Sequence, residues 1–298
     1  MAHITDIAVF DRRAVRLHRT RAAHDFAAHD FLFHEVGARL AERLAGIKRQ
    51  FLRAADIGSR NGVMRAALDG RAGIETLIGI DSSAAFRPDI VADEEFLPFA
   101  DQSLDLVVSC LSLHWVNDLP GALIQIRRAL RPDGLFLAAM FGGNTLNELR
   151  CALMEAELAE EGGVSPRTSP LAELPDVAGL LQRAGFALPV ADAETITVTY
   201  AEPFALMRDL RGMAETNAVA QRRRSFTRRA TLFGAAERYR AAHAGADGRI
   251  PATFELLFLA GWAPHESQQQ PKRPGSATAR LADALGTVER PAGDKAKP

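Results

Sequence analysis

A chain of 298 residues, 47% of them apolar, has material for one large domain or one domain with an appendage, and global disorder is excluded. A formal net charge of −1 supplies no overall field for nucleic acid or an anionic membrane, so charge must be read locally. Cys110 and Cys151 lie neither in a C-x-x-C pair nor near a histidine at zinc spacing, which suits a reducing compartment and no structural metal.

Residues 1–50 read as a helical lid. Phe31, Phe33, Val36, Leu40 and Leu44 recur at near-helical spacing and stop at Gly46. Upstream, Arg12, Arg16 and Arg19 share one helical face: either a solvated face or an anion-facing lid. No apolar h-region follows the start, and Asp6, Asp11 and Asp25 argue against a transit peptide, so a cytoplasmic protein is expected. From residue 51 the period changes. Strands are expected at Phe51–Ile57, Thr76–Ile80, Asp89–Ala92, Leu104–Ser109 and Leu135–Phe141, with helices at Val63–Gly70 and Leu119–Leu130. That alternation implies an α/β fold, a mostly parallel sheet with helices on both faces. Asn117 or Asp118 caps the Leu119 helix, Pro120 suits its first turn, and Pro132-Asp133-Gly134 stops it. Then come helices at Glu148–Glu160 and Asp176–Ala184 and a strand at Thr195–Tyr200. A helical insertion at about 201–249 precedes a long apolar strand at Ile250–Trp262. Residues 264–298 read as an extended or disordered tail, with Gln268–Gly275 and Arg290–Pro298 unstructured. The apolar runs are too short to span a bilayer.

The most informative residues are Ala54-Ala55-Asp56-Ile57-Gly58-Ser59-Arg60-Asn61-Gly62, at the end of the first strand, with Asp81 closing the second. A glycine loop and a carboxylate so placed mark a Rossmann-type nucleoside site: glycine lets the backbone approach, and the carboxylate takes the ribose hydroxyls. A dinucleotide G-x-G-x-x-G would need glycines at Arg60 and Val63, and a P-loop lysine is absent. What fits is the acidic-x-Gly-x-Gly-x-Gly loop of class I S-adenosylmethionine-dependent methyltransferases, with Arg60 replacing the middle glycine. Three later segments match that class in order: Val91–Phe99, whose Asp93 and Glu94 offer a carboxylate to the adenine amino group; Leu104–Ser109; and Arg131-Pro132-Asp133-Gly134-Leu135-Phe136. The cofactor-binding candidates are Asp56, Gly58, Ser59, Arg60, Gly62, Asp81, Ser82, Asp93, Glu94 and Ser109. Singly, Asp56 is also a helix cap, Asp81 a turn residue and Asp93 a solvated carboxylate; five ordered motifs favour the site. Arginine at 60 either swings outward, pairs with the cofactor carboxylate or obstructs the pocket.

Methyl transfer asks mainly for in-line positioning, because the sulfonium is already activated; a general base is optional. Substrate-side candidates cluster at Ser112–Asn117, where ligands of open α/β sheets lie. His114 and Trp115 are therefore candidate catalytic residues, with packing or capping as the alternative for His114 and a wall role for Trp115. Asp11 is a third candidate. No His-x-Asp/Glu pair of the kind that serves an Fe(II) oxygenase occurs, and no metal site is expected. The stretch Arg222-Arg223-Arg224-Ser225-Phe226-Thr227-Arg228-Arg229 reads as a solvated helix face or as a dock for an acidic partner or anionic membrane.

Longer segments resemble one family. They are Phe10–Arg13 with Arg19–Ala23, Leu111–Pro120, Ala139–Arg150, Glu160–Pro166, Asp209–Met213, Pro251–Thr253, Gly261-Trp262 and His265–Gln268. From about residue 8 to 285 the chain resembles the mitochondrial complex I assembly factor 5 family and its bacterial relatives. A more distant likeness is to malonyl-acyl carrier protein methyltransferase. The resemblance implies a class I methyltransferase fold over 51–263 with strand order 3-2-1-4-5-7-6, and a role in maturing respiratory NADH dehydrogenase. It also implies arginine hydroxylation on the quinone-proximal iron–sulfur subunit, on the matrix side of the inner membrane in eukaryotic relatives. Three functions compete: an S-adenosylmethionine-binding enzyme that modifies a protein, an assembly chaperone on a methyltransferase fold, and a small-molecule methyltransferase acting on an acyl carrier.

Overall fold

The computed structural model describes residues 8–269, 276 and 278–288. Seven strands form one sheet in the order β3-β2-β1-β4-β5-β7-β6, as the resemblance implies. They are β1 (Arg53–Ile57), β2 (Thr76–Asp81), β3 (Ile90–Val91), β4 (Leu104–Cys110), β5 (Leu130–Phe141), β6 (Ala187–Tyr200) and β7 (Ile250–Trp262). The first five run parallel, and β7 lies antiparallel between β5 and β6. Strand order reverses between β1 and β4, so a crevice opens beyond the carboxyl ends of β1, β2 and β4.

The central strands are apolar on both faces because helices cover both. On one side α2 (Phe31–Ala45) sets Phe33, Val36, Leu40 and Leu44 in a core with Leu106, Val108 and Leu137. On the other, α4 (Leu119–Ala129) sets Leu123 and Ile126 in a core with Ala55, Ile57, Val107 and Phe136. Leu106 and Val108 go one way and Val107 the other, as the two-residue period of a strand requires.

Pro132-Asp133-Gly134 does not separate helix from strand. The chain passes directly from α4 into β5, and the turn residues form an irregularity at its start. Leu104 pairs with Leu130 but Leu106 with Leu135, so β5 carries extra residues there. Asp133 sits at φ 63°, and a Cβ on Gly134 would lie 2.9 Å from the Arg131 carbonyl oxygen. β6 begins eight residues before its expected start: Asp192 and Glu194, which look like loop residues, pair with Arg43 of α2, and Glu194 also pairs with Arg39.

Three more helices follow the short α3 (Val63–Ala67) and precede the last strand's partner helix: α5 (Asn147–Glu161), α6 (Leu174–Arg183) and α7 (Pro203–Gly212). That partner, α8 (Arg229–His243), packs on α5. Between α7 and α8 the chain is not helical, so Arg222–Arg228 form a loop rather than a helix face. Ala214 at φ 64° ends the helical path, and Glu215 N–H donates back to Leu210 O at 2.8 Å, which turns the Glu215 side chain inward. A separate unit starts at His265 and contains the short α9 (Leu281–Leu285), within the tail read as extended. Apart from Gln268 and Gln269, the two tail segments expected to be unstructured lie outside the described residues. No helix among the described residues is long and apolar enough to cross a membrane.

Asp118 is the cap of α4, accepting from Gly121 N at 2.9 Å. Asp118→Ala is expected to lower unfolding free energy by about 1 kcal/mol in urea titration. An unchanged midpoint would show that the cap contributes nothing.

Candidate functional site

The glycine loop folds as its spacing demands. Gly58 and Gly62 adopt φ of 75° and 85°, and Arg60, in the middle position, also adopts a positive φ of 48°. Gly58 N and Ser59 N both donate to Ile80 O at 2.9 Å, pinning the loop to the end of β2. A Cβ on Gly58 would meet Ser112 Oγ at 2.0 Å, so only glycine fits.

Asp81 ends β2 inside the crevice. Its oxygens accept from Ser83 N at 2.8 Å and Arg60 N at 3.3 Å, and pair with the Arg60 and Arg19 guanidiniums at 3.3 and 3.5 Å. Of the three acids beyond β3, Asp93, Glu94 and Glu95, Glu94 is the buried one. It pairs with Arg19 and Arg12 and accepts from Ser112 Oγ at 2.8 Å. Burial pushes its carboxyl up, but the two arginines more than offset this and hold it far below the usual range. Asp93 stays partly exposed and accepts from Arg12 at 2.6 Å. Ser82 Oγ accepts from Arg19 at 3.0 Å.

Two sequence candidates, Ser109 and Asp11, make structural contacts. Ser109 Oγ donates to Ile57 O at 2.8 Å and ties β4 to β1. Asp11 caps α1 (Arg12–Ala22), accepting from Ala14 N, and pairs with Arg222 at 3.0 Å. Asp56 is buried, and one of its oxygens has no hydrogen-bond partner. Burial, then the nearby Asp81 charge, pushes its carboxyl up to about 7. A raised carboxyl favours the folded state only while protonated, so this stabilisation is full below pH 4 and disappears as pH rises through about 7. Asp56→Asn is expected to flatten the stability profile between pH 5 and 8, read as urea midpoints; an unchanged slope would assign that slope elsewhere.

His114 and Trp115 meet at a residue that sequence reasoning missed. His114 Nε2 and Trp115 Nε1 both lie 2.9 Å from Glu215 Oε2. Burial pushes the Glu215 carboxyl up, but His114, Arg60 and Arg19 outweigh it and keep it low. An ionised carboxylate only accepts, so His114 Nε2 carries the proton. In the neutral ring the lone pair is then on Nδ1, which has no hydrogen-bond partner among the described residues. These groups line a cavity of about 440 Å³ whose other walls include Phe141, Leu149, Arg211 and Phe254. The second Glu215 oxygen pairs with Arg60 at 3.5 Å, so one guanidinium joins this cavity to Asp81. Nothing local in Met213-Ala214-Glu215 signals this; the backbone reversal at Ala214 creates it.

The chain order, the glycine loop and the acids that close β2 and follow β3 define a class I S-adenosylmethionine-dependent methyltransferase fold. Residues 55–138 match the family described as methyltransferase domain. The Bacillus subtilis protein YcgJ superposes with a TM-score of 0.51 at 14% identity, over 76% of this chain and 98% of that one. Human mitochondrial arginine-hydroxylase NDUFAF5 is 43% identical, covering 97% of this chain and 87% of the human protein. The Danio rerio protein of that name is 42% identical over 92% and 89%. Malonyl-[acyl-carrier protein] O-methyltransferase of Xylella fastidiosa is 33% identical over 86% and 89%. The chain belongs to the arginine-hydroxylase NDUFAF5 family of methyltransferase-fold enzymes.

Proposed function

We propose that this protein binds S-adenosylmethionine at Gly58, Gly62, Asp81 and Glu94 and modifies an arginine of a protein partner, the quinone-proximal iron–sulfur subunit of NADH dehydrogenase. The donor set fits the cofactor. The positive-φ glycines bring the backbone to the crevice, Asp81 offers acceptors for ribose hydroxyls, and Glu94 or Asp93 offers one for an adenine amino group. Bound, the cofactor supplies an activated methyl group. Around the acceptor, Glu215 orients His114, His114 Nδ1 is available to hold a proton, and the apolar walls exclude water.

Glu215 is the observation that carries this reading. It is a buried carboxylate at the cavity wall, already paired with one guanidinium, Arg60. An arginine acceptor presents that same planar cation. Mass spectrometry of NADH dehydrogenase subunits from strains with and without this protein tests it. An added 14 or 16 Da on an arginine, lost on deletion, supports methylation or hydroxylation respectively. An unchanged mass leaves the chaperone role and counts against the enzyme. The acyl-carrier reading draws on the Xylella relative and on the apolar wall of Phe141, Leu149 and Phe254 beside Arg211. Methylation of a malonyl-acyl carrier protein by the purified protein would favour it.

A further inference from the structure

The groups assigned to the cofactor are already in use. Arg19 of α1, Asp81 and Glu94 have no side-chain surface open to solvent, and Ser112 is fully buried. A carboxylate with no exposed surface cannot receive a ligand from solvent until its cover moves. That cover is Arg19. It donates to Ser82 Oγ at 3.0 Å and Ser112 Oγ at 2.8 Å, and pairs with Asp81 and Glu94. Two turns earlier on the same face, Arg12 repeats the pattern on Asp93, Glu94 and the Trp115 carbonyl. Thr20 Oγ1 meets Ser83 Oγ at 2.9 Å.

What holds α1 down is therefore mostly the acceptor set of the cradle. Its apolar anchorage is slight: Ala14 and Val15 join a small cluster with Phe10, Trp115, Ala218 and Val219, and Ala22 packs on the main core. A helix secured by hydrophobic area is not released by a polar ligand, whereas one secured by ion pairs to the ligand's own acceptors is in direct competition with it.

We propose that α1 is a latch on the cofactor cradle, with Arg19 as its bolt: docking of Arg19 on Asp81 and Glu94 and binding of a nucleoside there exclude each other. The inference rests on the S-adenosylmethionine reading and adds its gate. The affinity measured for the cofactor is then the intrinsic affinity reduced by the fraction of molecules with α1 released. Arg60 pairs with Asp81 as well, but it comes from the cradle's own loop, so α1 is the element that leaves.

The test uses the full chain and S-adenosylhomocysteine, a ligand that cannot react. Arg19→Gln is expected to bind it about tenfold tighter or more by calorimetric titration, since the closed fraction falls. Hydrogen exchange of residues 12–22 in the wild-type protein should speed up when the ligand is added. A cross-link gives the opposite control. Thr20→Cys with Ser83→Cys, in a Cys151→Ser background because Cys151 is exposed, should bind ligand when reduced and lose binding when oxidised. The latch is overturned if the oxidised form binds as well as the reduced one. Unchanged or weaker binding by Arg19→Gln together with slower exchange in 12–22 also overturns it, since α1 then closes over the ligand. If wild type, Arg19→Gln and the reduced double variant are all silent, the nucleoside reading fails and takes the latch with it. Binding by Arg19→Gln alone supports both.

Discussion

Asp81→Ala is expected to abolish measurable S-adenosylhomocysteine binding and to lower unfolding free energy by about 3–5 kcal/mol. Both effects follow from burial. Asp81 is the shared counter-ion of Arg60 and Arg19, which are themselves buried. Without it, two like charges face each other with only Glu94 and Glu215 left to balance them. Breaking one partner of a buried charge pair costs far more than the pair is worth, because the orphaned ion stays in low dielectric. Asp81→Asn keeps the shape and an acceptor for Ser83 N but not the charge, so it should fall between the two. Denaturant titration reads stability, and calorimetry with the nucleoside reads binding. A variant that loses stability yet binds normally would make Asp81 an anchor for the arginines and nothing more.

Glu215→Ala should cost about 2–4 kcal/mol and, under the proposed function, erase any arginine mass shift on the partner subunit. One side chain accepts from His114 Nε2 and Trp115 Nε1 and pairs with Arg60. Truncation leaves three buried donors without that acceptor and frees the histidine ring to turn. Glu215→Gln retains an acceptor oxygen, so most stability should return while the fixed His114 tautomer does not. The low Glu215 carboxyl adds an acid signature: a depressed pKa stabilises the fold above the ordinary carboxylate range and ceases to do so as pH falls through the depressed value. If Glu215→Gln restores the mass shift completely, the residue acts through packing rather than through the ring.

Much of the fold was legible because local chemistry and global packing agree along the parallel half. Val107 and Val108 have one meaning in any context, a strand covered on both faces. The misreadings came where a local signal has two tertiary solutions. Pro132-Asp133-Gly134 makes a stop or a bulge, and the neighbouring β4, short by those residues, selects the bulge. Asp192 and Glu194 look like loop residues until Arg43 of a distant helix pairs with both.

The site divides in the same way. The glycine loop and Asp81 were readable because backbone geometry near a ligand restricts residue type, and that restriction is local to each strand end. Glu94 and Asp93 were readable as a pair, but which of them is buried was not: that depends on Arg19 arriving from 75 residues away. Arg60 left three readings open, swung outward, paired with the cofactor carboxylate or obstructing; its guanidinium bridges Asp81 and Glu215 and also lies over the Phe33 ring at 5.7 Å.

By itself, then, the sequence determined the α/β class, the nucleoside-type loop and the acidic strand ends, since periodicity and glycine spacing act over a few residues. Only the tertiary structure decided which charges meet. Burial makes each buried ion find a partner wherever the chain supplies one, so Arg19, Arg60 and Glu215 acquired their places from packing over distances that no local pattern records.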